Sequence, residues 1–410
     1  MEGKVTVIVV GAGAAGLIAA GKAAETADKV ILIEKNDTVG KKLRITGKGR
    51  CNITNAADIE DMIAMYPVNG KFLYSALYTF TNTDITELIE SYGVKTKVER
   101  GGRVFPVSDK ASDVVSALRK YALKKNTRLV RASVKELIVR DGHIEGVRTD
   151  KGVIEGGRVI ICTGGRSYPG TGSTGDGYAF AESTGHKIVP LKPSLVPLET
   201  EERWTAELMG LSLRNVALSV YDSKNRRVYD DFGELLFTHF GISGPIVLSA
   251  SAHMRRGEKY RLSIDLKPAL SFEQLDARLI RDIEKHGKKH LANSLDELLP
   301  KALIPVVIEL AGLDPHKPVC DITRAERHAL AETLKSLRMT FRAFRPIEEA
   351  IVTSGGVSTR DIDPSTMESK RVKGLYFAGE VIDVDGYTGG YNLQAAFSTG
   401  YLAGMSAAAE

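Results

Sequence analysis

Three glycines near the start of the chain have the spacing of a phosphate-binding turn. Gly11, Gly13 and Gly16 form the pattern G-x-G-x-x-G. Gly11 permits a tight turn, Gly13 leaves room for a pyrophosphate against the backbone, and Gly16 lets a helix pack closely on a strand. Glu34 lies at the offset from which a carboxylate hydrogen-bonds a ribose hydroxyl.

The segments on either side of the turn predict the elements that must position it. Residues 7–10 are a β-branched run typical of a strand buried on both faces, and residues 30–33 are a second apolar strand. Residues 14–24 contain good helix formers without proline, and a helix N-terminus there would offer free N–H groups to phosphates. The sequence therefore predicts a Rossmann-like α/β fold. Glu34 favours FAD or NAD over NADP, because two anions would repel.

Composition limits the classes of protein that remain. The chain has 410 residues and a net charge of +5, typical of a globular protein of roughly two or three domains. This mild charge requires no membrane or nucleic-acid partner, so we expect a small-molecule substrate and regard nucleic-acid binding as disfavoured. The sequence carries no signal for an oligomeric state.

The cysteines and the start of the chain bear on compartment and metal content. Cys51, Cys162 and Cys320 are far apart, which argues against a redox disulfide and a zinc site, and no metal is expected. No signal peptide precedes the first strand, and no apolar run is long enough to span a bilayer. We therefore expect a reduced, cytoplasmic protein.

A basic, glycine-rich segment follows the second strand. Residues 36–55 read NDTVGKKLRITGKGRCNITN, a pattern of neither an amphipathic helix nor a strand. Such a loop, just after a ribose-binding acid, is expected to fold back over a pyrophosphate and the edge of an isoalloxazine ring; a solvated basic loop is the alternative. The residues assigned to the cofactor from this region are Lys35, Lys42, Gly47, Arg50, Cys51 and Asn52. We expect Cys51 to be a packed small residue rather than a redox thiol.

Three segments resemble motifs of one known family. They are GKKLRITGKGRCNITN (40–55), GELLFTHFGISGP (233–245) and GLYFAGEVIDVDGYTGGYNLQAAFSTG (374–400), in the expected order. They are similar to motifs of the BaiN/RdsA, or aminoacetone-oxidase-like, family of FAD-dependent oxidoreductases, and the resemblance spans essentially the whole chain. It implies FAD as the cofactor, bound by a nucleotide fold of the glutathione-reductase type.

The resemblance also implies further contacts to FAD. Gly379 and Glu380 are expected beside the ribityl and pyrophosphate portion, and residues 390–393 at a helix N-terminus bordering the flavin pyrimidine ring. The positive end of a helix there would stabilise a reduced flavin, and a simple helix cap by Asn392 is the alternative. The remaining expected contacts are Ala14, Ala15, Val134, Thr163, Gly164, Gly165, Gly390, Tyr391, Asn392 and Leu393.

A second G-x-G-x-x-G, at Gly170, Gly172 and Gly175, is not interpreted as a nucleotide site. It is separated from the preceding strand, and no second strand ending in an acid follows it. We predict a loop that leads into a helix ending at about residue 183.

The nucleotide domain is expected to be discontinuous, comprising residues 1–190 and 343–410. Residues 191–270 show short alternating runs between turn residues, which predict an antiparallel, barrel-like β subdomain. Residues 271–342 have helical periodicity and predict a small helical subdomain. Capping boxes are expected at Ser271 and Ser294, and Thr323 is expected to cap a third helix.

These patterns predict an FAD-dependent oxidoreductase that exchanges a hydride between flavin N5 and a small organic substrate. The resemblance leaves two reactions open: oxidation of amines or ketones, and reduction or desaturation of a carbon–carbon bond next to a carbonyl. NADH or NADPH fits as a transient electron donor. The catalytic candidates are His239, Tyr391 and Arg50, with Tyr387, Tyr168 and Arg103 as further candidates near the expected flavin loops.

Each of these assignments has an alternative. His239 lies in a predicted turn, where a structural role competes with acid–base chemistry. For the whole chain, the rival interpretations are a relative of fumarate reductase or aspartate oxidase, a tRNA-modifying flavoprotein, and a flavin-binding redox sensor without turnover.

Overall fold

The chain folds into a mixture of helices and strands. The structure, a computed structural model, describes residues 5–409. The helices are α1 Ala14–Ala23, α2 Ile59–Ala64, α3 Tyr74–Thr79, α4 Asn82–Ser91, α5 Ala111–Ala122, α6 Asp176–Ser183, α7 Trp204–Glu207, α8 Pro245–Ala252, α9 Phe272–His286, α10 Leu303–Leu310, α11 Arg324–Lys335 and α12 Tyr391–Ala408. Across residues 5–409, no helix combines the length and the apolarity that crossing a bilayer requires.

The strands are short, and most pair within small sheets. In chain order they are β1 Thr6–Val10, β2 Lys29–Glu34, β3 Thr54–Asn55, β4 Thr96–Glu99, β5 Arg103–Pro106, β6 Thr127–Arg131, β7 Val134–Arg140, β8 His143–Thr149, β9 Gly152–Glu155, β10 Arg158–Ile161, β11 Ile188–Ser194, β12 Leu198–Thr200, β13 Ser212–Asp222, β14 Arg227–Thr238, β15 Gly241–Ser243, β16 Tyr260–Asp265, β17 Leu337–Phe344, β18 Val352–Val357 and β19 Leu375–Phe377.

Strand β1 lies at the centre of a parallel five-stranded sheet. The strand order is β19-β10-β1-β2-β6, and every neighbouring pair is parallel. Val7, Ile8 and Val9 are fully buried, as expected for a strand covered on both faces. The predicted Rossmann-like fold is confirmed, and the carboxyl ends of β1, β2, β10 and β19 meet along one edge of the sheet.

The chain forms two compact units. The first runs to Ser194 and resumes at Ile347, so it is discontinuous in sequence, and the second spans Leu195–Pro346. The five-stranded sheet belongs to the first unit. So do the meander β7-β8-β9, the sheet β3-β5-β4 and the pair β11-β18.

The last helix packs directly on the first. A Cβ atom at Gly400 would lie 2.4 Å from the carbonyl oxygen of Ala15, and one at Gly404 would lie 2.4 Å from that of Ala19. No side chain fits at these separations, so the two glycines bring the backbones of α12 and α1 into contact. This contact fixes the two helix N-termini relative to each other.

The second unit is built on a closed six-stranded barrel, with strand order β12-β15-β14-β13-β16-β17. The predicted barrel-like β structure is confirmed, but two local assignments are wrong. Strand β17 falls partly within the segment predicted as helical; Leu337 and Met339 are buried and Arg338 is exposed, a period of two that closes the barrel. Residues 246–252, within the segment predicted as antiparallel β structure, lie in α8, which starts with Pro245 after Gly244 at φ +102°.

Two of the three predicted helix caps are confirmed, and one is wrong. Ser271 with Gln274 and Thr323 with Glu326 form reciprocal capping boxes at the starts of α9 and α11, as expected. The capping box at Ser294 is wrong, because Ser294 ends a 3₁₀ turn and its hydroxyl donates to the carbonyl of Leu291 at 2.9 Å. Helix α10 begins later, at Leu303.

Candidate functional site

The glycine-rich turn between β1 and α1 leaves an open surface at the helix start. A Cβ atom at Gly11 would lie 2.5 Å from the carbonyl oxygen of Cys162, and one at Gly16 would lie 1.8 Å from that of Gly11. A Cβ at Gly13 would meet no atom within 4 Å. Gly13 is the N-cap of α1 and provides no side-chain cap, and the first turn carries no acidic residue. The turn therefore presents the uncapped N–H groups of Ala14 and Ala15 to an anion.

Glu34 is held beside this turn at the end of β2. Its side chain is buried, and its Oε2 accepts a hydrogen bond from the backbone N–H of Ala12 at 2.8 Å. Its Oε1 accepts from the backbone N–H of Asn36 at 2.8 Å and from its side-chain amide at 2.7 Å. The Ala12 bond fixes the carboxylate next to the phosphate-binding turn, and Oε2 keeps acceptor capacity for a hydroxyl donor.

Lys35 and Val134 are two further residues predicted to contact the cofactor. The ammonium of Lys35 forms an ion pair with Asp176 at 2.6 Å, in the first turn of α6, and also bonds the hydroxyl of Thr174. Val134 begins β7, two residues after Ala132, whose N–H donates to the carbonyl of Glu34 at 3.1 Å. The structure thus gives Lys35 a protein partner and places the segment of Val134 close to Glu34.

Lys42 lies in a buried polar network at the carboxyl edge of the sheet. Its Nζ is 2.7 Å from Oε2 of Glu380 and 2.6 Å from the hydroxyl of Ser167. Oε1 of Glu380 accepts from the backbone N–H of Thr353 at 2.9 Å and from Ser167 at 3.0 Å. The network joins the basic loop to the ends of β10, β18 and β19.

The turn after β10 is shaped by this network. Gly164 has φ +74°, and a Cβ at Gly165 would lie 2.5 Å from the hydroxyl oxygen of Thr353. That oxygen accepts from the backbone N–H of Arg166 at 2.8 Å. The hydroxyl of Thr163 is buried and has no hydrogen-bond partner in the protein.

The basic loop is a kinked 3₁₀ segment, Leu43–Gly49, with Gly47 and Lys48 at φ +57° and +59°. It is followed by Arg50, whose guanidinium pairs with Glu99 and with Asp109 at 2.6 Å and lies over the ring of Phe105 at 4.1 Å. The guanidinium of Arg50, which the sequence suggested for catalysis and cofactor binding, is therefore already paired within the protein. These contacts anchor the end of the loop to β4 and β5.

Two further residues of this loop are buried. Cys51 has φ +62°, and burial raises the pKa of its thiol to about 12. A thiol in this setting is protonated and unreactive, as the packing interpretation expects. The side-chain oxygen of Asn52 is buried without a partner, which leaves an acceptor for a ligand.

The segment before α12 forms a second uncapped helix start. Gly390 is its N-cap at φ +104°, and a Cβ there would lie 2.4 Å from the carbonyl of Thr54. The side chain of Asn392 accepts from the N–H of Gly386 at 2.8 Å and donates to its carbonyl at 2.7 Å. Asn392 therefore orders the loop instead of capping the helix.

Tyr391 and its neighbours complete this helix start. The hydroxyl of Tyr66 donates to the carbonyl of Tyr391 at 2.7 Å, and the two rings meet edge to face at 6.4 Å. Leu393 is half-buried, and Gly379 is so close to α1 that a Cβ would lie 2.9 Å from that of Ala15. The first unit thus brings together the glycine turn, Glu34, the basic loop, the Thr163 turn and this helix start.

His239 belongs to the second unit, whereas the groups described above belong to the first. It is exposed in the turn between β14 and β15, 4.9 Å from the ring of Phe240. The guanidinium of Arg345 covers the ring of Phe240 at 4.4 Å.

Three residues of the first unit were not found by sequence reasoning. Ser167 and Thr353 hold Glu380 and the Thr163 turn, yet Arg166 and Thr353 are 187 residues apart, and serine and threonine carry no periodic signal. Asp385 lies in the segment 374–400, in which the glycines carried the prediction. The only signal for Asp385 in the sequence is the presence of an aspartate in that segment.

Comparison with known proteins finds relatives over nearly the whole chain. The chain is 32% identical to the 3-dehydro-bile acid delta(4,6)-reductase of Clostridium scindens over 407 residues, covering 98% of each chain. It is 34% identical to the ribosomal RNA dihydrouridine synthase of Escherichia coli, covering 96% of each. A solved 3-ketosteroid delta1-dehydrogenase from Sterolibacterium denitrificans shares the fold, with a TM-score of 0.53 at 14% identity, covering 98% of this chain and 99% of that one.

The site fits FAD: it offers an open turn at Gly13 for the pyrophosphate, and two buried polar atoms without partners, on Thr163 and Asn52. Fold, site and relatives together define an FAD-dependent oxidoreductase. The chain belongs to the HI0933-like family, whose Rossmann-domain model matches residues 5–406. The resemblance drawn from the three sequence motifs is confirmed.

Proposed function

We propose that the protein adds hydrogen across a carbon–carbon double bond conjugated to a carbonyl group. The observation that carries the proposal is a shared reaction. One relative is named as a delta(4,6)-reductase of an oxo-steroid acid, and the other makes dihydrouridine, in which the ring double bond of uridine is saturated. Their substrates differ, but each name describes saturation of a double bond. Amine and ketone oxidation is therefore the less favoured of the two reactions that the sequence left open.

In this proposal the first unit binds the cofactor. The turn at Gly13 with the start of α1 holds the pyrophosphate, because its N–H groups are uncapped and no side chain fills the space. Glu34 accepts a ribose hydroxyl, and Lys42 with Glu380 lies beside the phosphate end of the ribityl chain. Further contacts come from Gly47, Cys51, Asn52, Val134, Thr163, Gly164, Gly165 and Gly379.

The remaining groups are proposed to act at the flavin end of the cofactor, where the hydride is transferred. When bound and reduced, FAD supplies the hydride that the β-carbon of the substrate receives. The uncapped start of α12, residues 390–393, would direct the positive end of the helix dipole at negative charge on a bound flavin ring. We assign Arg50 a positioning role, since Glu99 and Asp109 already satisfy its guanidinium. Tyr391 and His239 remain candidate acids.

NADH or NADPH is proposed as the electron donor, in a cytoplasmic protein with three free cysteines. The test is anaerobic mixing of the FAD-loaded protein with each nicotinamide, followed by a conjugated cyclic enone, with the flavin absorbance recorded throughout. We expect bleaching by the nicotinamide and recovery on addition of the enone, but not of its saturated analogue. Bleaching by an amine without any response to enones would overturn the proposal.

Uracil in RNA is a second candidate acceptor. One observation favours it besides the relative's name: residues 285–290 read KHGKKH, with Lys288 and Lys289 exposed, whereas Lys285 and Lys317 are paired with Glu297 and Glu326. Such a cationic surface suits a phosphate backbone. The test is incubation of the reduced protein with ribosomal RNA and nucleoside mass spectrometry, where a gain of two hydrogens on uridine supports the candidate and no gain removes it.

A further inference from the structure

A chain of hydrogen bonds runs through the packed core beside the start of α12. The hydroxyl of Thr54 in β3 donates to Oε1 of Gln394 at 2.6 Å, and Nε2 of Gln394 donates to the hydroxyl of Ser398 at 2.9 Å. The carbonyl of Phe80, at the end of α3, accepts from Nε2 of Gln394 at 3.1 Å and from Ser398 at 2.6 Å. The side chains of Thr54, Gln394 and Ser398 are fully buried. These bonds tie β3 and the end of α3 to the first turns of α12.

The same two segments also meet at the helix start itself. A Cβ atom at Gly390, the N-cap of α12, would lie 2.4 Å from the carbonyl oxygen of Thr54. The side-chain amide of Asn55 donates to the carbonyl of Gly389 at 3.1 Å. Strand β3 begins two residues after Asn52, at the end of the basic loop. The helix start proposed for the flavin ring therefore rests on the end of the loop proposed to cover it.

Packing alone does not explain a polar network at this place. Burying three polar side chains costs desolvation free energy, which their hydrogen bonds largely offset. An apolar side chain of similar size would fill the same space without that cost. What the network adds is direction, because a fully satisfied set of buried hydrogen bonds specifies one arrangement of the elements it joins. Here that arrangement is the rotation and register of α12 against β3.

We propose that Gln394 is a positioning residue, which holds the start of α12 where it raises the reduction potential of the bound flavin. The inference rests on the placement proposed above for residues 390–393, and it does not depend on the identity of the substrate. A helix N-terminus stabilises negative charge only over a short distance. A helix start that shifts after the loss of Gln394 would therefore bind reduced FAD less tightly, with little change for oxidised FAD.

The test compares substitutions that remove hydrogen bonds at nearly constant volume. Gln394→Met removes every hydrogen bond of the amide, and Thr54→Val removes only the hydroxyl that donates to it. Thr54→Ser keeps that hydroxyl and is the conservative variant. Thr149→Val is the matched control, because Thr149 is also a buried strand residue of the first unit. Its hydroxyl donates to the carbonyl of Gly152 at 2.8 Å, within its own hairpin.

The measurement is the midpoint potential of FAD in each holoprotein, with the melting temperature and the affinity for oxidised FAD recorded alongside. We expect the affinity for reduced relative to oxidised FAD to fall about tenfold in Gln394→Met, the scale of a helix-dipole interaction in a buried site. For a two-electron couple this fall lowers the potential by about 30 mV. Thr54→Val should shift the potential in the same direction, whereas Thr54→Ser and Thr149→Val should keep the wild-type value.

The outcomes separate a positioning role from a structural one. Lower melting temperatures in Gln394→Met and Thr54→Val with an unchanged potential would assign the network to stability alone and overturn the proposal. An equal shift in Thr149→Val would also overturn it, because general loosening of the first unit would then explain the effect. If Gln394→Met does not fold, Thr54→Val decides, since it loses a single hydrogen bond. The potential needs no substrate, so a failure of enones and uridine to reoxidise the protein would remove the proposed function and leave this result intact.

Discussion

Lys42 and Glu380, 338 residues apart in sequence, form an ion pair with 2.7 Å between Nζ and Oε2. Their side chains are about four-fifths buried, at 22% and 19% exposure. The pair connects the basic loop of the N-terminal segment to the end of β19, beyond the whole second unit. The ion pair therefore links the two sequence segments of the first unit, which are separated in sequence by the second unit.

We predict a measurable coupling between these two residues. In a double-mutant cycle with Lys42→Met and Glu380→Gln, the coupling energy in urea unfolding should be about 1–3 kcal/mol, because the pair is largely screened from solvent. The exposed pair Lys285–Glu297, at 58% and 47% exposure with a similar distance of 2.6 Å, is the matched control. Its coupling should stay below about 1 kcal/mol, and equal values for both pairs would contradict the burial argument.

Gly13→Val should abolish FAD binding without unfolding the protein. A Cβ at this position meets no protein atom within 4 Å, and φ is −85°, so valine is tolerated by the backbone but occupies the place proposed for the pyrophosphate. Flavin content after purification and the melting temperature of the apoprotein are the measurements. Gly16→Ala is the contrasting variant: its Cβ would lie 1.8 Å from the Gly11 carbonyl oxygen, and the fold itself should fail. A full flavin complement in Gly13→Val would remove the turn from the site.

Glu34→Ala should weaken FAD binding by about 1–3 kcal/mol, the scale for losing a charged hydrogen-bond partner. The same change releases the N–H groups of Ala12 and Asn36, so the apoprotein should also lose stability. Isothermal titration of the apoprotein with FAD, compared with FMN, which lacks the adenosine ribose, separates the two effects. Equal losses for both ligands would assign Glu34 a structural role alone.

Only one thiol should react in the native protein. Burial raises the pKa of the Cys51 thiol to about 12 and that of the buried Cys162 thiol as well, whereas Cys320 is exposed. At mildly alkaline pH a disulfide reagent should therefore modify Cys320 at once and the other two only after denaturation. Cys320→Ser should remove the fast reaction; a remaining fast thiol in that variant would contradict the burial of Cys51 or Cys162.

Stability should depend on pH through Asp385. Its pKa in the folded protein lies above the ordinary value of 3.8, so the native state holds this proton more tightly than the unfolded chain. That contribution is complete below the ordinary value and is lost as the pH rises through the raised one. The unfolding free energy of the wild type relative to Asp385→Asn should therefore increase as the pH is lowered from about 7 toward about 4. A difference independent of pH would mean that the pKa is not raised.

Local patterns predicted the nucleotide fold well, because its chemistry lies in short contiguous segments. Gly11, Gly13, Gly16 and Glu34 fall within one strand–helix–strand unit, and the structure places them side by side. Strand β17 was missed because its alternation, buried Leu337 and Met339 around exposed Arg338, directly follows a helix and is short. Its pairing with β12 depends on residues more than a hundred positions away.

The site was predicted in its backbone parts and less well in its side chains. Glycine turns can be predicted from the sequence because only glycine tolerates their geometry, as at Gly390 against Thr54. The partners of a charged side chain cannot be predicted in this way, since they are set by tertiary contacts. Arg50 looked like a free cation in sequence, yet Glu99 and Asp109 reach it from a later sheet.

The contact of Gly400 and Gly404 with α1 has a consequence for the order of folding. Helices α1 and α12 lie on opposite sides of the second unit in the sequence, yet α12 packs directly on the backbone of Ala15 and Ala19. The nucleotide unit therefore cannot complete its packing before α12 has been synthesised. A chain that lacks α12 would keep the glycine turn in its sequence but would lose the helix against which the turn is supported.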